Sequence, residues 1–313
     1  MTSQNRRDFL KRTSLFGVAV FVSSPLQIFS QGVSQKDFSS PEKSIKFIFS
    51  SDLNLRNSPT HNGMGGLQAI RKIYQDKFNA GVLLDAGDFL STDKNFTSHK
   101  EFLVKMNEAG YHSANIGHNE LKFGEEYLAS LIPHINFNLL NCNYTFQNNE
   151  LREKVKKYHI ISVGNQKVGI TGVGPKIAAV NFENPHTALK RITTFLKNEE
   201  KVDVVICLSH LPYKSNSGEL DNFKLASLSE NVDFIMGGHF GNYINGNLIL
   251  KNISGKDVTL CGGGMDGLVI GELEIELTES KNIVFHSNKV IIPGLQDPYK
   301  TPKIIQDFNS QLL

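Results

Sequence analysis

The chain has 313 residues and an almost balanced charge, with 33 Lys and Arg against 31 Asp and Glu and a net charge of +2. No basic stripe stands out, so we expect no nucleic-acid partner. The three cysteines cannot all pair, and Cys207, inside the apolar run 204–208, is predicted to be a buried thiol rather than a ligand.

The first 32 residues have the order of an export signal, in which a basic region precedes an apolar one. Arg6 and Arg7 are followed by Phe and Leu, which resembles the twin-arginine signal that carries folded proteins across the bacterial inner membrane. We therefore expect a periplasmic or otherwise exported protein that crosses the membrane after it has folded. The alternative is a basic tail with a short apolar anchor, because no Ala-x-Ala cleavage site is visible.

The apolar run 15–29 is shorter than the ~20 residues of a membrane-spanning helix, so membrane contact is expected only through an uncleaved signal. No linker rich in Gly, Ser or Pro divides the later chain, which indicates one domain. We predict an export signal at 1–32, a polar linker at 33–43 and one domain at 44–313.

In the first half, short apolar strands alternate with segments of helical spacing. The order of β-strands and helices predicts an α/β fold with a largely parallel sheet. The predicted strands cover residues 45–49, 81–84, 112–116 and 136–140, and the predicted helices cover 65–78, 102–109 and 125–131.

The second half begins with strands 158–163 and 167–171, joined by a Gly-Asn turn, and continues with helix 188–198 preceded by Pro185. Two buried strands, 202–208 and 234–236, follow. Segments 258–261, 269–277 and 283–292 alternate like antiparallel strands, so we expect them to form a second sheet packed on the first.

Polar side chains follow the strands where each one ends, which is where open α/β sheets place their ligands. Asp52 and Asn54 come after the first strand, and residues two apart in extended chain point the same way, so both are expected to reach one ion. Asp88 follows a tight turn at Gly87, where it could bridge cations or form an Asx-turn or helix cap.

Histidines stand at three further strand ends, with His118 in the polar loop 117–124, His210 after Ser209 and His239 after two glycines. A single histidine of this kind is usually a core or turn residue, but three with two aspartates form a constellation. Imidazole with carboxylate suits Zn, Mn or Fe, and a bridging carboxylate permits two ions ~3.5–4 Å apart. Such ions activate water against phosphate esters.

The five polar segments at these strand ends, taken in chain order, resemble the conserved blocks of the calcineurin-like metallophosphoesterases, specifically the 5'-nucleotidase type. Segments 168–175, 262–264 and 268–277 also resemble that subfamily's metal domain, and the match covers roughly residues 45–290. The resemblance implies a four-layer α-β-β-α sandwich of two mixed sheets flanked by helices, and hydrolysis of phosphate esters by metal-activated water. The blocks begin at Asp52, Gly87, Gly117, Ser209 and Gly237.

The chain departs from the family pattern in the first, third and last of these blocks. Asn54 replaces the His of Asp-x-His, and Gly241 stands where the final His of the last block belongs, so the same metal loses two ligands. In the third block the resemblance puts His118 at the ligand Asn, Asn119 at the catalytic His and Lys122 at the Asp that orients it. Asn119 cannot act as a general acid at neutral pH.

Two functions are therefore compatible with the sequence. One is a hydrolase with one strong site for a divalent transition metal, a doubtful second site, and His118 or Lys122 contacting the phosphate. The other is a catalytically impaired pseudoenzyme, a metal- or ligand-binding partner of a separate nucleotidase C-terminal domain protein. Nucleotidases of this family usually carry that domain, and this chain ends at Leu313, so either the domain is a separate polypeptide or nucleotides are not the substrate. The strong ligands are Asp88, His118, His210 and His239, and the weak ones are Asp52 and Asn54.

Overall fold

The computed structural model describes residues 39–40, 44–59, 62–77, 81–215, 218–239, 247–278, 283–296 and 300–311. The predicted export signal and Gly241 lie outside these residues, and of the predicted linker only residues 39–40 are described. Within the described ranges, no helix is both long enough and apolar enough to cross a membrane.

Sixteen strands and eight α-helices are present in the described residues. The strands are β1 (Ser39–Ser40), β2 (Ser44–Ser50), β3 (Val82–Asp85), β4 (Ser113–Asn115), β5 (Asn138–Leu140), β6 (Tyr144–Thr145), β7 (Val155–Lys156), β8 (Tyr158–Val163), β9 (Gln166–Val173), β10 (Asn181–Phe182), β11 (Val204–Ser209), β12 (Phe234–Gly237), β13 (Asn247–Lys251), β14 (Asp257–Gly262), β15 (Ile270–Leu277) and β16 (Ile283–Ile291). The helices are α1 (Gly66–Lys77), α2 (Phe96–Ala109), α3 (His118–Leu121), α4 (Glu125–Leu131), α5 (Asn149–Lys154), α6 (Pro185–Asn198), α7 (Asn222–Leu228) and α8 (Thr301–Gln311).

Most strands belong to two mixed sheets of seven strands each. Sheet I has the order β16-β15-β2-β3-β4-β5-β7, and its strands from β2 to β7 are all parallel. Sheet II has the order β1-β8-β9-β11-β12-β14-β13, with β9, β11, β12 and β14 parallel. The parallel sheet predicted for the first half is therefore confirmed.

The last strands do not form a sheet of their own, and that expectation was wrong. β14 pairs parallel with β12 in sheet II, whereas β15 and β16 extend sheet I beside β2. Gly271 lies opposite Phe49 in this pairing, and a Cβ at Gly271 would come within 2.1 Å of the Phe49 ring. The free edge of β2 accepts β15 because a glycine leaves room for that aromatic side chain.

Alternating side chains of β2 show how the layers are built. Phe47 and Phe49 belong to the apolar core between the two sheets, whereas Ile48 belongs to the core beneath helices α1 to α4. On the outer face of sheet II, Leu196 of α6 lies close to Gly169 of β9. Helices therefore cover both sheets, and the four-layer sandwich is confirmed.

Helix α2 begins at Phe96, six residues before the predicted start. Asn95 has extended backbone angles, and its side chain accepts a hydrogen bond from the Ser98 amide at 3.0 Å, which makes it the N-cap. The early turns of α2 therefore depend on capping rather than on apolar spacing. All three cysteines are free and buried, as predicted for Cys207.

Candidate metal centre

Four potential metal ligands from four strand ends converge at one edge of the sandwich. Asp88 and His118 follow β3 and β4 of sheet I, while His210 and His239 follow β11 and β12 of sheet II. One ligand atom from each residue lies within 4.8 Å of all the others. The structure thus brings together the four residues that the sequence predicted as the strong site.

Two ring nitrogens in this group are buried without a hydrogen-bond partner, His118 Nδ1 and His210 Nε2. His210 Nδ1 lies 3.1 Å from the Ala86 carbonyl oxygen, which can only accept, so Nδ1 carries the proton. His210 Nε2, the nitrogen left for a proton or a metal ion, faces Asp88 Oδ2 at 3.3 Å. A ring oriented through its other nitrogen is the usual arrangement of a metal-binding histidine, so these residues fit a transition-metal ion.

The charges of the group also favour a cation. Burial tends to raise the pKa of Asp88, but His210, the Asn119 amide and His118 together outweigh it and lower the pKa to about 2. Burial tends to lower the pKa of His210, but Asp88 and Asp52 outweigh it and raise the pKa to about 10. The carboxylates therefore favour a positive charge on the His210 ring, and a metal ion bound at Nε2 would take the place of the proton there.

The backbone around the ligands adopts sparsely populated conformations. Asp52, Asp88 and His239 have φ angles of 52°, 57° and 55°, in the left-handed region that costs a non-glycine residue about 1–3 kcal/mol. Gly117 approaches so closely that a Cβ there would lie 2.2 Å from Asp88 Oδ1. The fold tolerates this strain because the surrounding hydrogen bonds hold each turn in place.

Glu120 is the main residue that sequence reasoning did not single out. It is fully buried, and its carboxylate accepts hydrogen bonds from the backbone N–H groups of Asp88, Leu90 and Gly117 at 2.8–3.0 Å. Glu120 therefore joins the Asp88 turn to the start of α3. Its position three residues after Gly117, at the third residue of a helix, is the available sequence signal, because an acidic side chain there commonly caps the helix start.

Asp52 and Asn54 do not lie in extended chain, so the extended geometry predicted for them is wrong. Both residues are left-handed, with φ of 52° and 47°, because the chain turns after Ser50 and pairs through its backbone with residues 87–89. Asn54 Nδ2 donates to the Asp52 carbonyl oxygen at 2.9 Å. Asp52 Oδ2 accepts from the His239 amide, and its Oδ1 lies 4.0 Å from His210 Nε2.

Asn119 is buried beside the ligands, and its side-chain amide is held by hydrogen bonds within the protein. Its Nδ2 donates both hydrogens, to Asn54 Oδ1 at 2.9 Å and to the Leu90 carbonyl oxygen at 3.0 Å. Its backbone N–H donates to Asp88 Oδ1 at 2.8 Å. Lys122 lies exposed at the end of α3. The structure therefore places Asn119 among internal hydrogen bonds and Lys122 at the surface.

A cavity of about 440 Å³ opens beside the ligands and is bordered by His118 and His239. Most of its wall is apolar, with Lys176, Asn184 and Glu219 as the remaining polar lining residues. The apolar lining residues are Pro175, Phe182, Pro185, Leu211, Pro212 and Leu220.

Comparison with known proteins finds 5'-nucleotidases, although no protein-family model matches the chain. The NAD 5'-nucleotidase of Haemophilus influenzae is 24% identical over 255 residues, covering 72% of this chain and 41% of that protein. A snake venom 5'-nucleotidase from Gloydius brevicauda is 26% identical over 238 residues, covering 67% and 39%. The chain thus spans about two fifths of these relatives.

Solved structures share the fold at low sequence identity. The 5'-nucleotidase precursor from Thermus thermophilus superposes with a TM-score of 0.70 at 20% identity, over 86% of this chain and 59% of that one. The calcineurin-like phosphoesterase YfkN from Bacillus subtilis gives 0.61 at 17% identity, over 86% of this chain and 97% of that one. The chain therefore has the two-sheet fold of the metal domain found in 5'-nucleotidases and calcineurin-like phosphoesterases.

Proposed function

We propose that the protein is an exported, metal-dependent phosphoesterase that resembles the metal domain of 5'-nucleotidases and has a divergent site. The observation that carries this proposal is the group Asp88, His118, His210 and His239, with one ligand atom from each within 4.8 Å of the others. Two of its nitrogens are buried without a partner, which is costly unless an ion or ligand pairs with them. Its substrates are phosphate esters or nucleotides.

The four residues suit Zn, Mn or Fe, because imidazole and carboxylate are the ligands that these ions share. An ion bound there would supply Lewis-acid polarisation of a phosphoryl oxygen and activation of water. Ala86 fixes the His210 tautomer, and Glu120 and Asn119 hold the Asp88 turn. His118 borders the cavity and is the residue that we assign to the phosphoryl group.

We propose one strong ion per chain. Asp52 and Asn54 make a weaker second site, because Asn54 already uses Nδ2 for the Asp52 carbonyl and Oδ1 for Asn119. An oxygen that already accepts a hydrogen bond is a poorer ligand than the unpartnered nitrogens of the histidines. Occupancy of the second position is therefore expected to be low.

A second candidate is a pseudoenzyme that binds metal or ligand as the partner of a separate nucleotidase C-terminal domain protein. The hydrogen bonds of Asn119 favour it, because both side-chain hydrogens are committed and an amide cannot replace an imidazole as a general acid.

We also propose residues 1–32 as a twin-arginine export signal, 33–43 as a linker in which residues 39–40 add strand β1 to the edge of sheet II, and 44–313 as the phosphoesterase-like domain. Replacing Arg6 and Arg7 by Lys should retain the protein in the cytoplasm, because the twin-arginine signal is recognised by its guanidinium pair rather than by charge alone. Fractionation of cells producing each form tests this. Unchanged export would indicate the route for unfolded chains.

Metal content and turnover test the proposed function together. We expect about one transition-metal ion per purified chain by elemental analysis, and weak metal-dependent hydrolysis of a generic aryl phosphate. Asp88→Ala should lose both, because it removes the only carboxylate of the four ligands. Two equivalents at full occupancy, or none in both proteins, would contradict the single strong site. One ion without any turnover would favour the pseudoenzyme.

A further inference from the structure

The wall of the cavity includes two of the metal ligands and two residues that follow a third ligand in the chain. Leu211 and Pro212 follow His210 directly and form part of the cavity wall, and His118 and His239 border the same space. A phosphoryl group held at the ligands therefore has its ester oxygen close to this cavity. At about 440 Å³ the cavity is in the range of small-molecule sites, which run from about 300 to 1,000 Å³.

The wall has little means of recognising charge. Lys176 and Glu219 are exposed lining residues of opposite sign, so their charges offset one another. Asn184 is already used as the N-cap of α6, where its side-chain oxygen accepts from the amides of His186 and Thr187. Apart from the ligands His118 and His239, the other described lining residues are proline, leucine and phenylalanine.

We propose that this cavity holds the organic part of the phosphate ester and selects a neutral, apolar or aromatic alcohol. The inference rests on the proposed function and adds a substrate class to it. Among the described lining residues, a polyphosphate or a second anionic group would find one exposed cation, Lys176, together with the carboxylate of Glu219. An aryl or branched alkyl group would instead transfer apolar surface from water to the side chains of Phe182, Leu211 and Leu220.

Two phosphonates that differ only in the organic group test the proposal by binding. Titration calorimetry of the zinc-loaded protein should show phenylphosphonate binding at least about tenfold more tightly than methylphosphonate, since both present the same head group and only one fills the wall. Leu220→Asn keeps the number and branching of the side-chain heavy atoms but adds an amide to the half-buried wall. It should weaken phenylphosphonate about threefold to tenfold and leave methylphosphonate unchanged.

Leu228→Asn is the matched control, because Leu228 is an exposed leucine of α7 outside the cavity lining. It should leave both affinities unchanged, and all three proteins should carry the same amount of zinc. A second wall variant, Phe182→Ser, should reduce the preference in the same direction as Leu220→Asn.

The outcomes separate the two proposals. Equal affinity for the two phosphonates in the zinc-loaded protein overturns the apolar subsite and leaves the phosphoesterase proposal standing. A phenyl preference that neither wall variant reduces overturns it as well. Failure to retain zinc, or binding of neither phosphonate, overturns the proposed function and this inference together.

Discussion

The two sides of the site are both built from polar side chains but differ in what their polar atoms contact. On the histidine side, His118 Nδ1 and His210 Nε2 are buried without a partner. On the amide side, Asn54 and Asn119 bond to each other and to the backbone at 2.9–3.0 Å. One side is left open for a group from outside the chain, and the other is satisfied within it.

This difference teaches that proximity to a strand end does not by itself make a ligand. A buried polar atom must find a partner, and whether that partner is internal or external separates a structural residue from a binding one. Variants that change one side at a time test this distinction, and their expected effects differ widely in size.

The largest effect is expected from the histidine side. His210→Ala should lower zinc affinity more than about 100-fold, because loss of a direct ligand exceeds the ~10–100-fold cost of losing an outer-shell contact. Competition with a chromophoric chelator measures this. Asn54→Ala is the control from the amide side and should change the affinity far less. Equal losses in both variants would remove the distinction between the two sides.

Turnover should respond to conversion of the amide side. Asn119→His with Lys122→Asp restores the pair of residue types that the resemblance places there, and a general acid contributes ~10²–10⁴-fold. We expect hydrolysis of an aryl phosphate to rise at least about tenfold. This is less than the full contribution of a general acid, because the two new side chains will not be ideally placed. Lys122→Asp alone should not raise it. A wild type that is already fast, and slows when Asn119 becomes His, would show that the native site works in another way.

The bond between Asn54 and Asn119 should appear as coupling in the unfolding free energy. In metal-free protein, urea unfolding of Asn54→Ala, Asn119→Ala and the double variant should give a coupling of about 0.5–1.5 kcal/mol, the usual net value of such a bond. Asn54→Ala combined with Asn148→Ala is the control, because Asn148 caps α5 and does not contact Asn54. Additivity in both cycles would show that the amide pair is incidental.

Lys122→Ala should have the smallest effect of all. The side chain is exposed at the end of α3, so the unfolding free energy should stay within about 0.5 kcal/mol of the wild type. Zinc and phenylphosphonate affinities should also be unchanged, as measured by the same titrations. A clear loss of phosphonate affinity would assign Lys122 to the phosphate in place of His118.

Much of the fold could be predicted from local sequence patterns. The strand predicted at 45–49 is β2, and the helix predicted at 188–198 after Pro185 is α6, because apolar spacing and proline placement are visible in a few consecutive residues. The start of α2 was missed because it depends on the cap at Asn95. The division of the last strands between two sheets was missed because strand pairing depends on edges that are distant in the chain.

The sequence by itself determined which residue types follow each strand, and hence that imidazole and carboxylate groups would meet at one edge of an α/β sandwich. Only the tertiary structure decided which of them remain available. The left-handed turn after Ser50 directs Asn54 to Asn119, and Glu120 holds the Asp88 turn from helix α3, 32 residues later in the chain. Residue identity and periodicity are local, whereas the pairing of buried polar atoms depends on neighbours that only the folded chain brings together.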